Sequence, residues 1–304
     1  MVRPNDSHLD PDELRAVEKR AQALLNRASA WNRFPTPVDD ILSAANLTVA
    51  PSSLFDPIQL FSFLQHKAAE AKVRLTSAVK KILGLYDSSE NLIHIDDTVV
   101  KTKQSFLKLH ETGHHEIPYH KKLFTIFQDS ETTLSPDVAN LFEREANNFA
   151  RFILFQGDTF SRMAADAEVG IKAPMALAKK FGASVYASTR EYARTHPQPC
   201  LVYILDPVEL GPGCDSHAVV RRLQASPSFA YQFAMPAETE INIAHPLWSV
   251  IPLDARKMTS PRSFQIRDKN GSQHECLAEA FKTPFNILIL VHTVKEITSQ
   301  TVIF

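Results

Sequence analysis

Two histidines and a glutamate near the middle of the chain have the spacing of a metal-binding helix. Residues His110–His114 read His-Glu-Thr-Gly-His, an H-E-x-x-H pattern. On a helix the first and last of these residues lie one turn apart on the same face, so both imidazoles can reach one ion. Glu111 is rotated from His110 by about 100°, yet it stays near enough to take a proton from a water molecule and pass it to a leaving amine. The pattern predicts a catalytic metal site.

A third ligand must come from another element, and a downstream helix offers two glutamates. Two histidines and one carboxylate leave the fourth position of a zinc ion open, which is the catalytic arrangement. We favour Glu143, because Asn147 lies one turn further on the same face and can orient a ligand histidine. Glu145 is the alternative ligand. The predicted core stripe of this helix is Val138, Phe142, Ala146, Phe149 and Ile153.

Other polar residues near the motif are weaker candidates. His115 is one step off the ligand face, so we expect a surface histidine. Tyr119 and His120 are candidates for a role such as stabilising an oxyanion. Tyr86 and His94 on the preceding strands are candidates of the same kind.

The elements that must hold these residues follow from caps, prolines and apolar spacing. Polar and proline starts predict helices from Asp10 to about Ala30, from Asp39 to Ala45, from Lys101 to before Pro118, and from Ser135 to about Gln156. Short strands are predicted at Leu47–Val49, Gly84–Asp87 and Leu92–Ile95. A helix, a glycine turn and a second helix to about Thr195 follow from Pro174.

A proline-rich stretch at His196–Pro199 predicts a domain boundary, and the pattern beyond it becomes strand-like. Predicted strands are Cys200–Leu205, Ala218–Leu223, Phe229–Phe233, Ser263–Arg267 and Asn286–Thr293. The expected fold class is α+β: a mainly helical domain with a small antiparallel sheet, a helix-turn-helix, and a mixed α/β C-terminal domain.

Composition excludes several classes of function. The formal net charge of the 304 residues is -1, so no general attraction to nucleic acid or anionic membrane is expected. No apolar run approaches the roughly 20 residues that a bilayer span needs, and the N-terminus lacks the apolar segment of a signal peptide. The three cysteines, Cys200, Cys214 and Cys276, are too scattered for a disulfide framework, which suits the cytoplasm. Four residues of the C-terminal third could bind metal or sense redox state, although structural roles are favoured: Cys214, Cys276, His217 and His274.

Together these residues resemble the ImmA/IrrE family of metallopeptidases. The resemblance is carried by Gly84–Asp87, the Ile93–Ile95 strand, Lys103–Phe106, the H-E-x-x-H motif and Glu143–Ala150. Two departures, Leu109 and the pair Phe155-Gln156 where the family usually has Met-Pro, concern packing and the shape of the substrate groove. The resemblance implies domains at 10–157 (zinc metallopeptidase), 158–196 (helix-turn-helix) and 197–304 (GAF-like sensor).

The resemblance also implies a function: cleavage of a specific transcriptional repressor of the XRE helix-turn-helix type, which induces stress-response or mobile-element genes. It supports Glu143 as the third ligand and Glu111 as the base, with Zn²⁺, or alternatively Mn²⁺, as the ion. We expect an extended stretch of substrate to pair with an edge strand at Leu92–Ile95. The alternative is a metal-stabilised regulator without proteolysis, which binds a repressor or DNA. DNA binding through Lys172, Lys179, Lys180, Arg190 and Arg194 is a less favoured interpretation than simple helix packing.

Overall fold

The computed structural model describes residues 8–50, 84–87, 91–95, 99–120, 136–210, 216–253 and 255–294. Over these residues the chain combines helices with antiparallel sheet, which is the expected α+β class. It forms two compact units, and the first runs to Phe160 and also takes in Lys179–Ser184. The second comprises Ser161–Ala178 and the residues from Val185 onward. Among the described helices, none has the length and apolar character needed to cross a membrane.

The described helices of the first unit are α1 (Pro11–Arg27), α2 (Val38–Ala44), α3 (Lys101–Glu116) and α4 (Pro136–Leu154). Helix α1 begins where the sequence predicts, with Pro11 in its first turn and the backbone N–H of Asp10 donating to the Glu13 carboxylate at 3.0 Å. It ends at Arg27, earlier than the predicted Ala30. Helix α1 packs against α4, and one of its faces is buried: Val17, Ala21, Leu24 and Leu25.

Helix α4 has the buried stripe that its apolar spacing predicts. Phe142, Ala146, Phe149 and Ile153 are all buried, and the side chain of Val138 lies outside the described residues. The stripe contacts both α1 and α3, so α4 is the central helix of this unit. The helix is followed by Gln156 and Gly157, which both have positive φ, as expected where a glycine terminates a helix.

Gln156, one of the departures from the resembled family, ties the end of α4 to the segment before α2. Its side chain is fully buried, accepts from the backbone N–H of Asn32 at 2.7 Å, and donates to the backbone carbonyl of Arg33 at 2.8 Å and to the Thr36 hydroxyl at 3.1 Å. Each polar atom of the amide therefore has a partner, as buried polar groups require.

A three-stranded sheet lies beside α3 and differs from the prediction. Its strands are β1 (Thr48–Val49), β2 (Gly84–Asp87) and β3 (Leu92–Ile95), in the order β1-β3-β2. Strands β2 and β3 pair antiparallel, but β1 runs parallel to β3, so the expected antiparallel sheet is a mixed one. Strand β3 is central, with Leu92 and Ile93 paired on both sides, and the prediction that Leu92–Ile95 forms an edge is wrong.

Three helices follow α4: α5 (Asp158–Ala165), α6 (Lys172–Phe181) and α7 (Val185–Thr195). Gly182, at φ 73°, makes the turn between α6 and α7. The strands of the second unit form a seven-stranded sheet with the order β5-β6-β4-β10-β9-β8, in which β7 also pairs with β6 and every pair is antiparallel. Its strands are β4 (Cys200–Leu205), β5 (Glu209–Leu210), β6 (Ser216–Ala225), β7 (Glu240–Asn242), β8 (Arg262–Arg267), β9 (Gln273–Lys282) and β10 (Ile287–Thr293).

The sequence prediction for this unit has one wrong strand, and it omits β5, β7 and β9. Phe229–Phe233 is not a strand, because Ser226 caps a short helix, α8 (Pro227–Gln232), by accepting from the backbone N–H of Phe229. Strand β9 was not predicted, although Cys276, Ala278 and Ala280 alternate on its buried side. These residues join a core with Phe229 and with Leu247 of a 3₁₀ helix (Pro246–Val250).

Candidate metal centre

The H-E-x-x-H segment occupies the C-terminal part of α3, as its spacing predicts. Every residue of Leu109–His114 is buried, although most of these side chains are polar. The rings of His110 and His114 lie one turn apart, with their Nε2 atoms separated by 3.2 Å. Buried imidazoles need polar partners, and the facing helix α4 supplies one for both.

Glu143 of α4 completes a group of three ligand-type side chains. Its carboxylate oxygens lie 3.3 Å from His110 Nε2 and 3.5 Å from His114 Nε2. In a tetrahedral zinc site with bonds of 2.0–2.1 Å, neighbouring ligand atoms are about 3.3 Å apart. The separations of 3.2, 3.3 and 3.5 Å therefore fit a single ion, and the mixed set of two nitrogens and one oxygen suits zinc.

The three side chains differ in how they hold protons. Burial lowers the pKa of His114 to about 4, so its imidazole is neutral at neutral pH. Burial also disfavours a charge on His110, but its hydrogen bond to Glu143 and the nearby carboxylates outweigh this and raise its pKa. Burial disfavours a charge on Glu143, but its contacts with His110 and His114 outweigh this and lower its pKa. A metal entering this site has to displace one proton, shared between His110 and Glu143.

Glu111 and Asn147, predicted as base and supporting residue, both lie at the group. Glu111 is buried, with 8% of its surface exposed, and its negative charge acts on His110. The side chain of Asn147 is hydrogen-bonded to His110, which is the orienting contact that its spacing from Glu143 predicts.

Glu145, the alternative ligand, is turned away from the three-residue group. Its carboxylate accepts from the Tyr119 hydroxyl and lies 2.8 Å from His120 Nε2. His120 Nδ1 in turn lies 3.1 Å from His114 Nδ1. Both ring nitrogens of His120 and the Tyr119 hydroxyl thus have partners within the protein, although Tyr119 is 40% exposed. The fully buried His120 does not face a substrate as an oxyanion-stabilising group would. Sequence reasoning missed this contact, because His120 lies beyond the end of α3, where helical spacing gives no position.

The remaining candidates near the motif stay outside the group. His115 is half-buried, His94 is buried in β3, and Tyr86 belongs to β2. Among the residues that the structure describes, the ligand atoms that lie within 4.8 Å of one another are those of His110, His114 and Glu143.

The surroundings of the thiols and histidines in the second unit are those of structural residues. Burial raises the pKa of Cys200 to about 12 and that of Cys276 to about 11, so both thiols are protonated. His274 Nε2 lies 2.9 Å from Asp268 at the turn between β8 and β9, and His217 pairs with β5 and β7 within β6. Cys214 falls outside the described residues.

The basic residues of α6 and α7 are partly engaged within the protein. Lys180 lies 4.8 Å above the Phe34 ring, Arg190 lies 5.7 Å above Tyr186, and Arg194 is 2.5 Å from Glu191. Five residues of α7 are buried: Ser188, Thr189, Glu191, Tyr192 and Ala193. The other six residues of α7 are half-buried.

Comparison with known proteins gives no family. No family model matches the chain, and no curated protein matches it. A solved structure that resembles it is that of a Mycobacterium tuberculosis transcriptional regulator, with a TM-score of 0.42 and 13% sequence identity over 95% of this chain and 99% of that chain. A likeness this remote carries no inference about function.

Proposed function

We propose that the chain is a zinc-dependent endopeptidase of the ImmA/IrrE type that cleaves a specific cytoplasmic protein. The observation that carries the proposal is the group formed by His110, His114 and Glu143, with ligand separations suited to one tetrahedral ion. A buried glutamate directly after the first histidine adds the proton acceptor that hydrolysis needs. Nothing in an ordinary helix pair requires His110, Glu111 and His114 to be buried beside one another.

Each side chain has a defined part in the proposed chemistry. When bound, the ion polarises the peptide carbonyl and makes water a stronger nucleophile. His110, His114 and Glu143 hold it, while Asn147 keeps His110 oriented. Glu111 takes the proton from the attacking water and delivers it to the amine that leaves. Its burial keeps bulk water away from this transfer.

The proposed substrate is a transcriptional repressor of the XRE helix-turn-helix type, in line with the resemblance to ImmA/IrrE peptidases. Recognition through Leu92–Ile95 is excluded along Leu92 and Ile93, where β3 is paired on both sides. Among the described strands β2 pairs with β3 alone and contacts α3. Backbone pairing with an extended substrate is therefore proposed at β2.

The test combines metal content with cleavage. The purified protein is loaded with Zn²⁺ and added to an extract of cells that produce it, and new protein N-termini are identified by labelling and mass spectrometry. We expect a small set of cut proteins, including a helix-turn-helix repressor, and loss of these cuts with Glu111→Gln while Zn²⁺ stays bound. Glu116→Gln, the same change in the same helix at a residue paired with Arg27, should cleave like the parent.

Other outcomes decide against the proposal. Equal cleavage by Glu111→Gln and the parent would remove Glu111 from the mechanism. The alternative of a metal-stabilised regulator without proteolysis is favoured if no new N-termini appear and a repressor binds equally well to the parent and to Glu111→Gln. If the protein takes up no transition metal, both the peptidase and the metal-stabilised regulator are ruled out.

A further inference from the structure

We propose that His120 and Glu145 are positioning residues that fix the ring of His114 for metal binding. The inference rests on the proposed function only in requiring that the three-residue group binds zinc. It does not require peptide cleavage. It assigns a role to two buried polar residues that the proposed chemistry leaves unused.

These residues form a continuous hydrogen-bonded chain away from the metal group. His114 Nδ1 lies 3.1 Å from His120 Nδ1, and His120 Nε2 lies 2.8 Å from a carboxylate oxygen of Glu145. The Tyr119 hydroxyl donates to the other oxygen of the same carboxylate. His120 is fully buried and Glu145 is 2% exposed, so the contact between these two side chains faces no solvent that could replace it. We call this set the His120–Glu145 relay.

Packing holds the His120 ring in place. Its ring stacks on Phe142 of α4, with centroids 4.0 Å apart and an angle of 24° between the planes. The same α4 thus supplies the stacking partner Phe142, the ligand Glu143 and the relay carboxylate Glu145. The relay is therefore built from the same helix pair as the metal group and shares its geometry.

The Glu145 carboxylate determines which ring nitrogen of His120 and of His114 carries the proton. Glu145, when ionised, can only accept, so His120 donates from Nε2. A neutral imidazole carries one N–H, which leaves Nδ1 of His120 as an acceptor for the Nδ1–H of His114. His114 then presents the lone pair of Nε2, the atom that lies 3.2 Å from His110 Nε2 and 3.5 Å from Glu143. The opposite polarity would put the proton of His114 on the nitrogen that must bind the metal.

Burial of Glu145 explains why it serves this relay and not the metal. A carboxylate removed from water is costly unless hydrogen bonds or opposite charge compensate for it. The contacts from His120 and Tyr119 provide that compensation and use both oxygens. Glu143 differs, since 59% of its side chain is exposed and its oxygens face the two ligand histidines.

The test measures zinc affinity and the ring tautomers, both independent of cleavage. By competition with a chelator, His120→Phe should bind Zn²⁺ more weakly by about 10- to 100-fold, the usual effect of losing the partner of a ligand histidine. His115→Phe, the same change at the half-buried histidine beside His114, should bind like the parent. In the zinc-loaded parent, long-range ¹H–¹⁵N spectra of the histidines should show His114 protonated at Nδ1 and His120 protonated at Nε2.

The spectra keep the inference testable even if His120→Phe does not fold. A parent spectrum with His120 protonated at Nδ1, or unchanged zinc affinity in a folded His120→Phe variant, overturns the relay and leaves the proposed peptidase standing. Tight zinc binding with the expected tautomers but without any cleavage supports the relay and counts against the peptidase. A parent that binds no Zn²⁺ overturns both.

Discussion

At the scale of single residues, the sequence predicts the three ligand-type side chains that lie together, but not the His120 and Glu145 side chains behind them. Helical spacing alone brings His110 and His114 to one face, and Glu143, favoured because of Asn147, is the glutamate that lies beside them. The contact between His114 and His120 depends on how the chain turns after α3. No periodicity describes that turn, so the partners of a buried carboxylate such as Glu145 could not be predicted.

Zinc affinity should depend on pH through a single proton. The pKa of His114 is about 4 and the pKa of Glu143 is lowered, so near pH 6 neither competes with the metal for a proton. The pKa of His110 is raised above its ordinary 6.5, and its proton must leave when zinc binds. Affinity should therefore rise about tenfold per pH unit between about pH 5 and the pKa of His110, and level off above it.

Chelator competition at constant ionic strength, from acidic to weakly alkaline pH, measures this slope. Proton release measured by calorimetry in buffers of different ionisation enthalpy gives an independent count. A slope of two in the logarithm of zinc affinity against pH, or affinity that does not change with pH, would contradict the protonation assigned to His110, His114 and Glu143.

At the scale of elements, local sequence signals predict the helices more closely than they predict the strands and their pairing. Helices with polar caps and prolines lie close to their predicted bounds, because those signals are local. Strand β3 was placed at an edge although it is central, since sequence alone does not show which strands pair. Strand β9 was not predicted because two glutamates alternate with its small buried residues, Cys276, Ala278 and Ala280.

The crossing of α3 and α4 should be sensitive to one added methyl group at Gly113. A Cβ there would lie 3.1 Å from the Ala146 Cα and 3.2 Å from a ring carbon of Phe149. Alanine favours a helix over glycine by about 1 kcal/mol, but the backbone of Ala146 cannot yield without moving α4. Gly113→Ala should therefore separate His114 from Glu143 and weaken zinc binding on the order of tenfold, with the ligands intact.

Chelator competition on the folded variant checks this, with Lys103→Ala on the exposed side of α3 as the control. Circular dichroism should show the helical content retained in both variants. Zinc affinity equal to that of the parent would mean that the helix pair adapts and that close approach at Gly113 is not needed for the site.

At the scale of the whole molecule, the compact units do not follow the order of the chain. The chain leaves the first unit at Ser161 and returns to it for Lys179–Ser184. This return cuts through the region 158–196, for which the sequence predicts a helix-turn-helix. Sequence patterns find the helices and the glycine turn, but they do not show which unit each one joins, because that depends on packing between distant segments.

Phe181, in the returning segment, should matter for the stability of the first unit. Its ring is fully buried and lies 4.9 Å from Phe34, 6.0 Å from Phe155 and 5.4 Å from Phe160, measured between centroids. Phe181→Ala should lower the free energy of unfolding by about 3–5 kcal/mol, the range for deleting a buried aromatic ring. Phe285→Ala, the same change at a side chain that is 68% exposed, should cost far less.

Amide hydrogen exchange locates the effect, which a single unfolding curve for a two-unit chain cannot do. Protection should fall in α1 and α4 of the first unit and remain in the β4–β10 pair of the second. Loss of protection confined to α6 and α7 would instead show that the two helices fold as a separate module, as a DNA-binding helix-turn-helix would. Because Phe181 lies far along the chain from the metal ligands, the predicted pattern would place the last helix turn of α6 within the structure that supports the metal group.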